Sequence, residues 1–215
     1  MGKLLVICAQ RYNGHELWTL LGVLLEHDHT FEVVSQKVLI RDELTMQPNT
    51  LERTVYKVQV EEVELFDAIC IVSGNMQDTE AYWTDTHVGV LLQEFKKQQK
   101  IVAAICCSVP TLAPIVSGVK VSFFPLVRAR YTLQHHHALL NSISLTVDTR
   151  HKVITAENQM LTQLWAEEIS NMLEGLPPQY EFVESGFTPK GRPRRMSKEV
   201  QLMIDQAKAQ KGELS

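Results

Sequence analysis

No apolar run in this sequence approaches the roughly 20 residues of a membrane-spanning helix, so no membrane partner is expected. A signal-peptide pattern is also missing, because Lys3-Leu-Leu-Val-Ile-Cys8 enters a strand at once. A cytoplasmic protein is the expectation. Cysteine is scarce: Cys8, Cys70, Cys106 and Cys107 are the four present, and they lack zinc-ligand spacing. Free thiols fit this set better than a disulfide framework, and no metal or other cofactor is expected. Internal repeats are absent as well. A strong charge of one sign is missing overall, with a net charge of −4. That figure hides an asymmetry, since residues 186–215 carry a net +4 and the rest a net −8.

What is present is enough chain for one sizeable core, with 215 residues of which 45% are hydrophobic. The patterning predicts one α/β domain over residues 1–176 and an appendage over 177–215. Lys3 to Ala9 reads as a central strand covered on both faces. A helix follows with Leu17, Leu20, Leu21, Leu24 and Leu25 on one face, and then a strand over Phe31 to Ser35. This βαβ opening predicts a doubly wound, mostly parallel sheet flanked by helices, of the flavodoxin-like kind. Thr54 to Val60 alternates as a strand does, and Asp67 to Val72 is a further buried strand closed by Ser73-Gly74-Asn75. Residues 76–84 read as a polar loop, and Val88, Leu91, Leu92 and Phe95 mark an amphipathic helix ending at Lys96-Lys97. Val119 to Phe124 reads as a strand, Ile143 to Thr155 as a hairpin, and Met160 to Leu173 as a helix stopped by Gly175 and Pro177-Pro178. The stretch from Leu126 to Leu140 has no clear pattern, and His135-His136-His137 within it reads as a solvated polar loop.

The chain is organised around Ile101-Val-Ala-Ala-Ile-Cys106-Cys107-Ser108-Val-Pro110. A buried strand, two thiols and a proline that suits a first helical turn predict a strand–turn–helix elbow. A thiol at a helix N-terminus sits where free N–H groups and the macrodipole favour an anion, so it is the candidate nucleophile. In an open α/β sheet, ligands bind beyond the carboxyl ends of the strands. Loops 10–16, 73–83 and 106–110 then share one edge, which gathers Glu16, Gly74, Asn75 and the cysteine pair into one crevice.

These residues resemble the ThiJ/PfpI superfamily, with its class I glutamine amidotransferase-like fold, over about residues 3–174. The resemblance rests on Leu5-Val-Ile-Cys-Ala9 followed by Glu16, on Ile71-Val-Ser-Gly74-Asn75, on Ala103-Ala-Ile-Cys-Cys-Ser-Val-Pro110, and on Thr155-Ala-Glu-Asn-Gln entering a helix. It implies a reactive elbow cysteine with Glu16 against its sulfur. It also implies oxyanion stabilisation by backbone N–H groups near Gly74, Asn75 and Ser108, and a homodimer. A carboxyl beside a thiolate must keep its proton to donate to it. Glu16 has a second reading, because Asn13-Gly-His-Glu16 has the form of a capping box. The elbow residue is open between two positions: Cys106 follows Ala-Ala-Ile, and Cys107 stands three residues before Pro110.

The activities this implies are hydrolase-like, glyoxalase or deglycase chemistry on a small carbonyl or amide substrate. The alternative is a non-catalytic stress-response, redox-sensing or regulatory module. The family's usual histidine is missing, since Cys107 or Ser108 follows the nucleophile and Phe124-Pro125 replaces His-Pro. His15 is the accessory candidate beside Glu16. Phe187 to Lys198 reads as a basic extended linker, and Ser197 as an N-cap to a short helix. Gly191-Arg192-Pro193-Arg194, with Arg195 after it, resembles an AT-hook core, which makes nucleic acid a candidate partner of the tail.

Overall fold

The computed structural model describes residues 1–141, 143–183 and 186–189. Six short apolar segments form the central sheet: β1 (Lys3–Cys8), β2 (Thr30–Val34), β3 (Ala68–Val72), β4 (Ile101–Ile105), β5 (Leu145–Asp148) and β6 (Val153–Ala156). Their order across the sheet is β5-β6-β4-β3-β1-β2. Every neighbouring pair is parallel except the β5–β6 hairpin. The doubly wound α/β architecture expected from the sequence is therefore the one the chain adopts.

Strand periodicity divides the core into two layers. Leu4, Val6 and Cys8 of β1 point to one face, while Leu5 and Ile7 point to the other. The first face is covered by α1 (Gly14–Glu26) and α4 (Thr162–Leu173) through Leu17, Leu20, Leu24, Trp165 and Ile169. The second is covered by α2 (Thr86–Lys97), by α3 (Val127–His135) and by a 3-10 helix over Cys106–Ile115. Four consecutive β1 residues, Leu4 to Ile7, are fully buried, as a strand sandwiched between helix layers must be.

Several local expectations are corrected. Thr54 to Val60 is not a strand: its buried residues Val55 and Val58 are three apart, and the chain winds in 3-10 turns at Val55–Lys57 and Val60–Leu65. Residues 76–84 hold a short helix, Met76–Glu80, because the Asn75 side chain caps it by accepting from Gln77 N. Val119 to Phe124 contributes only the two-residue strand Lys120–Val121, which pairs with Leu139–Leu140 rather than with the main sheet. Ser122 N turns instead to Thr155 Oγ1 at 2.8 Å. The unplaced stretch after Leu126 is the helix α3, and His135, His136 and His137 are exposed at its end. Leu25 is 54% exposed, so the apolar face of α1 ends at Leu24.

Beyond Gln179 the backbone of Tyr180–Val183 pairs with that of Gly186–Pro189, in part of what reads from sequence as the extended linker. The expected helix after Ser197 and the basic cluster Arg192, Arg194 and Arg195 lie outside the described residues. Among the described residues, no helix is long and apolar enough to cross a membrane.

Candidate functional site

The site is built where β4 ends. Ile101 to Ile105 are buried, the chain turns at Cys106, and the 3-10 helix leads away. Cys106 has φ of +57°, the left-handed region that costs a non-glycine residue roughly 1–3 kcal/mol. Such strain at a strand-to-helix turn is what lifts one side chain clear of the backbone in a nucleophile elbow. Cys107, by contrast, is buried at 8% exposure, whereas Cys106, the first residue of the 3-10 helix, is only partly buried. Ser108 fixes the turn from within. Its Oγ accepts from Ile105 N at 3.1 Å and lies 2.7 Å from the carbonyls of Ile71 and Ile105.

Glu16 enters from α1, entirely buried. Only half of the capping box forms: the Asn13 side chain accepts from Glu16 N at 3.2 Å. The Glu16 carboxyl turns across the sheet edge instead, and its Oε2 accepts from Ser73 N at 2.8 Å and Ser73 Oγ at 2.7 Å. Its Oε1 is buried with no hydrogen-bond partner. Burial and the neighbouring Cys106 push the carboxyl up to about 8 despite the two Ser73 bonds, so it holds a proton at neutral pH.

The two adjacent sulfurs lie 3.6 Å apart. With Cys106 as donor, this contact holds the Cys107 thiol below its ordinary value and, together with burial, pushes Cys106 up. The other two thiols differ in kind. Cys8 and Cys70 are sealed in the core, and burial pushes Cys8 up to about 12 and Cys70 upward as well. All four cysteines are free.

The three loops expected at one edge do meet there. Tyr12 bridges to Gly74, Glu16 reaches Ser73, and Trp83 Nε1 donates to Cys107 O at 2.9 Å. Gly74 N donates to Thr79 Oγ1 at 3.1 Å and Asn75 N to Arg11 O at 2.7 Å, so both N–H groups serve the scaffold here. Gly74 permits a close approach to the chain itself, because a Cβ would lie 2.1 Å from Arg11 O. His15 is exposed on α1, away from the buried face that carries Glu16.

Two residues near the site were assigned no role from sequence. Ser73 lies within the Ile71–Asn75 motif, and its part depends on Glu16 lying opposite. Glu43 follows a strand too short to read from sequence, and its negative charge opposes ionisation of both Glu16 and Cys107 as a minor contribution. Arg11, the nearby cation, is committed to Asp78 by a two-pronged pair at 2.8 and 2.9 Å. Among the described residues, no cluster of three His, Cys, Asp or Glu side chains is placed to hold a metal.

Comparison with known proteins agrees with this architecture. The DJ-1/PfpI family pattern matches residues 2–172. An uncharacterized protein of Methanocaldococcus jannaschii is 28% identical over 173 residues, covering 80% of this chain and 82% of its own. Among solved structures, a ThiJ/PfpI domain protein from Brachyspira murdochii superposes with a TM-score of 0.71 at 20% identity, covering 81% of this chain and 98% of that one. DJ-1beta of Drosophila melanogaster superposes with a TM-score of 0.66 at 18% identity, covering 81% and 91%. With a family match spanning most of its length, the chain belongs to the DJ-1/PfpI family.

Proposed function

We propose that this protein is a cysteine-centred member of its family in which Cys106 attacks small electrophilic carbonyl compounds. The supporting observation is one arrangement: a strained elbow thiol beside a buried carboxyl that keeps its proton and has one oxygen without a partner. The Cys106 sulfur adds to an aldehyde carbon, its thiol proton passing to water as the C–S bond forms and the C=O π pair moves onto oxygen. The protonated Glu16 then gives that oxygen its proton, leaving a thiohemiacetal and a Glu16 carboxylate that regains a proton from water. Ser73 holds the carboxyl in place by two donors throughout.

The test is covalent labelling of the full chain at neutral pH with methylglyoxal or iodoacetamide, followed by intact mass and site mapping. One adduct on Cys106, with aldehyde turnover lost in Glu16→Gln, is the expected result. No adduct, or labelling confined to another cysteine, overturns the reading. A second reading, a redox sensor without turnover, is favoured by the thiol of Cys107 standing where a histidine base would follow the elbow. It predicts oxidation of Cys106 by mild peroxide and no consumption of aldehyde. Family resemblance also leads us to propose a homodimer, which light scattering of the full chain would register as twice 24.5 kDa.

A further inference from the structure

Consecutive side chains on a strand point to opposite faces. At this elbow the turn at Cys106 instead brings two consecutive thiols together, with sulfurs 3.6 Å apart. That distance decides between two uses of a thiol pair. A disulfide is ~2.05 Å long and usually spans Cα atoms ~4.4–6.8 Å apart, whereas neighbouring Cα atoms are only ~3.8 Å apart. Closing one here would draw the sulfurs together by about 1.5 Å across a peptide too short for the bond. A single soft atom bound to both sulfurs needs no such movement. At a bond length of ~2.3 Å, typical of thiolate–zinc contacts, two sulfurs 3.6 Å apart subtend an angle of about 100°.

The rest of the site selects the kind of atom. Zinc requires four ligands, and no cluster of three His, Cys, Asp or Glu is placed to supply them among the described residues. A centre satisfied by two sulfurs and one further group has what it needs. We infer that the Cys106–Cys107 pair is a chelating site for trivalent arsenic, held by both sulfurs with one remaining hydroxyl or carbon substituent. With arsenous acid, two As–O bonds break and two As–S bonds form. The two thiol protons leave with the two hydroxyls as water, and no electrons are transferred. Glu16, buried beside the elbow with Oε1 unpartnered, relays these protons, giving its own to a departing hydroxyl and recovering one from an attacking thiol. The inference rests on Cys106 being the reactive elbow thiol and adds Cys107 as its second arm. Cys8 and Cys70, sealed in the core, act as internal controls.

The experiment treats the full chain with phenylarsine oxide and reads intact mass, with iodoacetamide labelling of Cys106 run in parallel. One phenylarsenic group per chain is expected, bridging Cys106 and Cys107. It should be released by 2,3-dimercaptopropanol and resist the same thiol concentration of glutathione. Cys107→Ser and Cys107→Ala should each weaken capture at least tenfold while Cys106 still alkylates. Capture unchanged in those variants, or no capture by a native chain that still alkylates at Cys106, overturns the chelating site alone. A chain inert to both reagents overturns the elbow-thiol reading as well.

Discussion

At Glu16 solvation and hydrogen bonding pull in opposite directions, and burial wins. The folded chain holds this proton up to about 8, whereas the unfolded chain releases it near 4.5. Between those values unfolding releases a proton, so stability falls as pH rises, by about 1.4 kcal/mol per unit from this group alone. Glu16→Gln keeps an oxygen for both Ser73 donors and has no proton to lose. Urea unfolding should therefore show the two proteins alike near pH 5 and the variant more stable near pH 8. Parallel pH profiles would mean that the carboxyl is ionised in the folded state. Gly74 is a second residue under tight constraint, since a Cβ there would meet Arg11 O at 2.1 Å and Tyr12 Cα at 2.6 Å. Gly74→Ala should cost about 1–3 kcal/mol in thermal or urea unfolding. Sequence spacing named Glu16, Gly74 and both elbow cysteines, but it could not choose between Cys106 and Cys107 because the strand and proline landmarks disagree by one residue. What distinguishes the two is a backbone dihedral, +57° at Cys106, which no residue pattern encodes when the residue is not glycine.

Among the elements, those with strong periodicity and a clear cap were legible and those held by side-chain exchange were not. Helix α2 begins at a capping residue, Asp85, which accepts from Val88 N at 3.0 Å, and ends in Lys96-Lys97 as its dipole favours. Asp85 Oδ2 also accepts from Tyr56 Oη at 2.8 Å, tying the helix to the 3-10 segment before β3. Asp85→Ala should lower stability by about 1–2 kcal/mol in urea unfolding, and Tyr56→Phe, which leaves the cap intact, by less. The stretch around Lys120 failed to read correctly for the opposite reason. Ser122 satisfies its N–H on a threonine side chain and its hydroxyl on Thr146 Oγ1 at 2.6 Å, so strand-forming residues end up outside the main sheet.

For the whole molecule, the decisive feature is that two apolar layers close on one sheet before residue 174. Every central strand and all four helices α1 to α4 lie within residues 3–173. Removing residues 190–215 should therefore leave the thermal unfolding midpoint of the remaining chain unchanged within error. A marked loss of stability would show that the basic tail contributes to the folded domain. What the sequence determined by itself was the class of fold and the sheet edge at which the candidate residues collect. Apolar runs, their alternation and their caps act over a few residues, and parallel strands must bring their carboxyl-end loops together. The tertiary structure alone decided that the left-handed turn falls at Cys106, that Glu16 abandons its cap for Ser73, and that Gly74 and Asn75 spend their N–H groups on the scaffold. Those outcomes depend on atoms from separate strands and loops, as with Glu16 and Ser73, 57 residues apart in the chain. Their meeting follows from how the layers close, which local pattern does not specify.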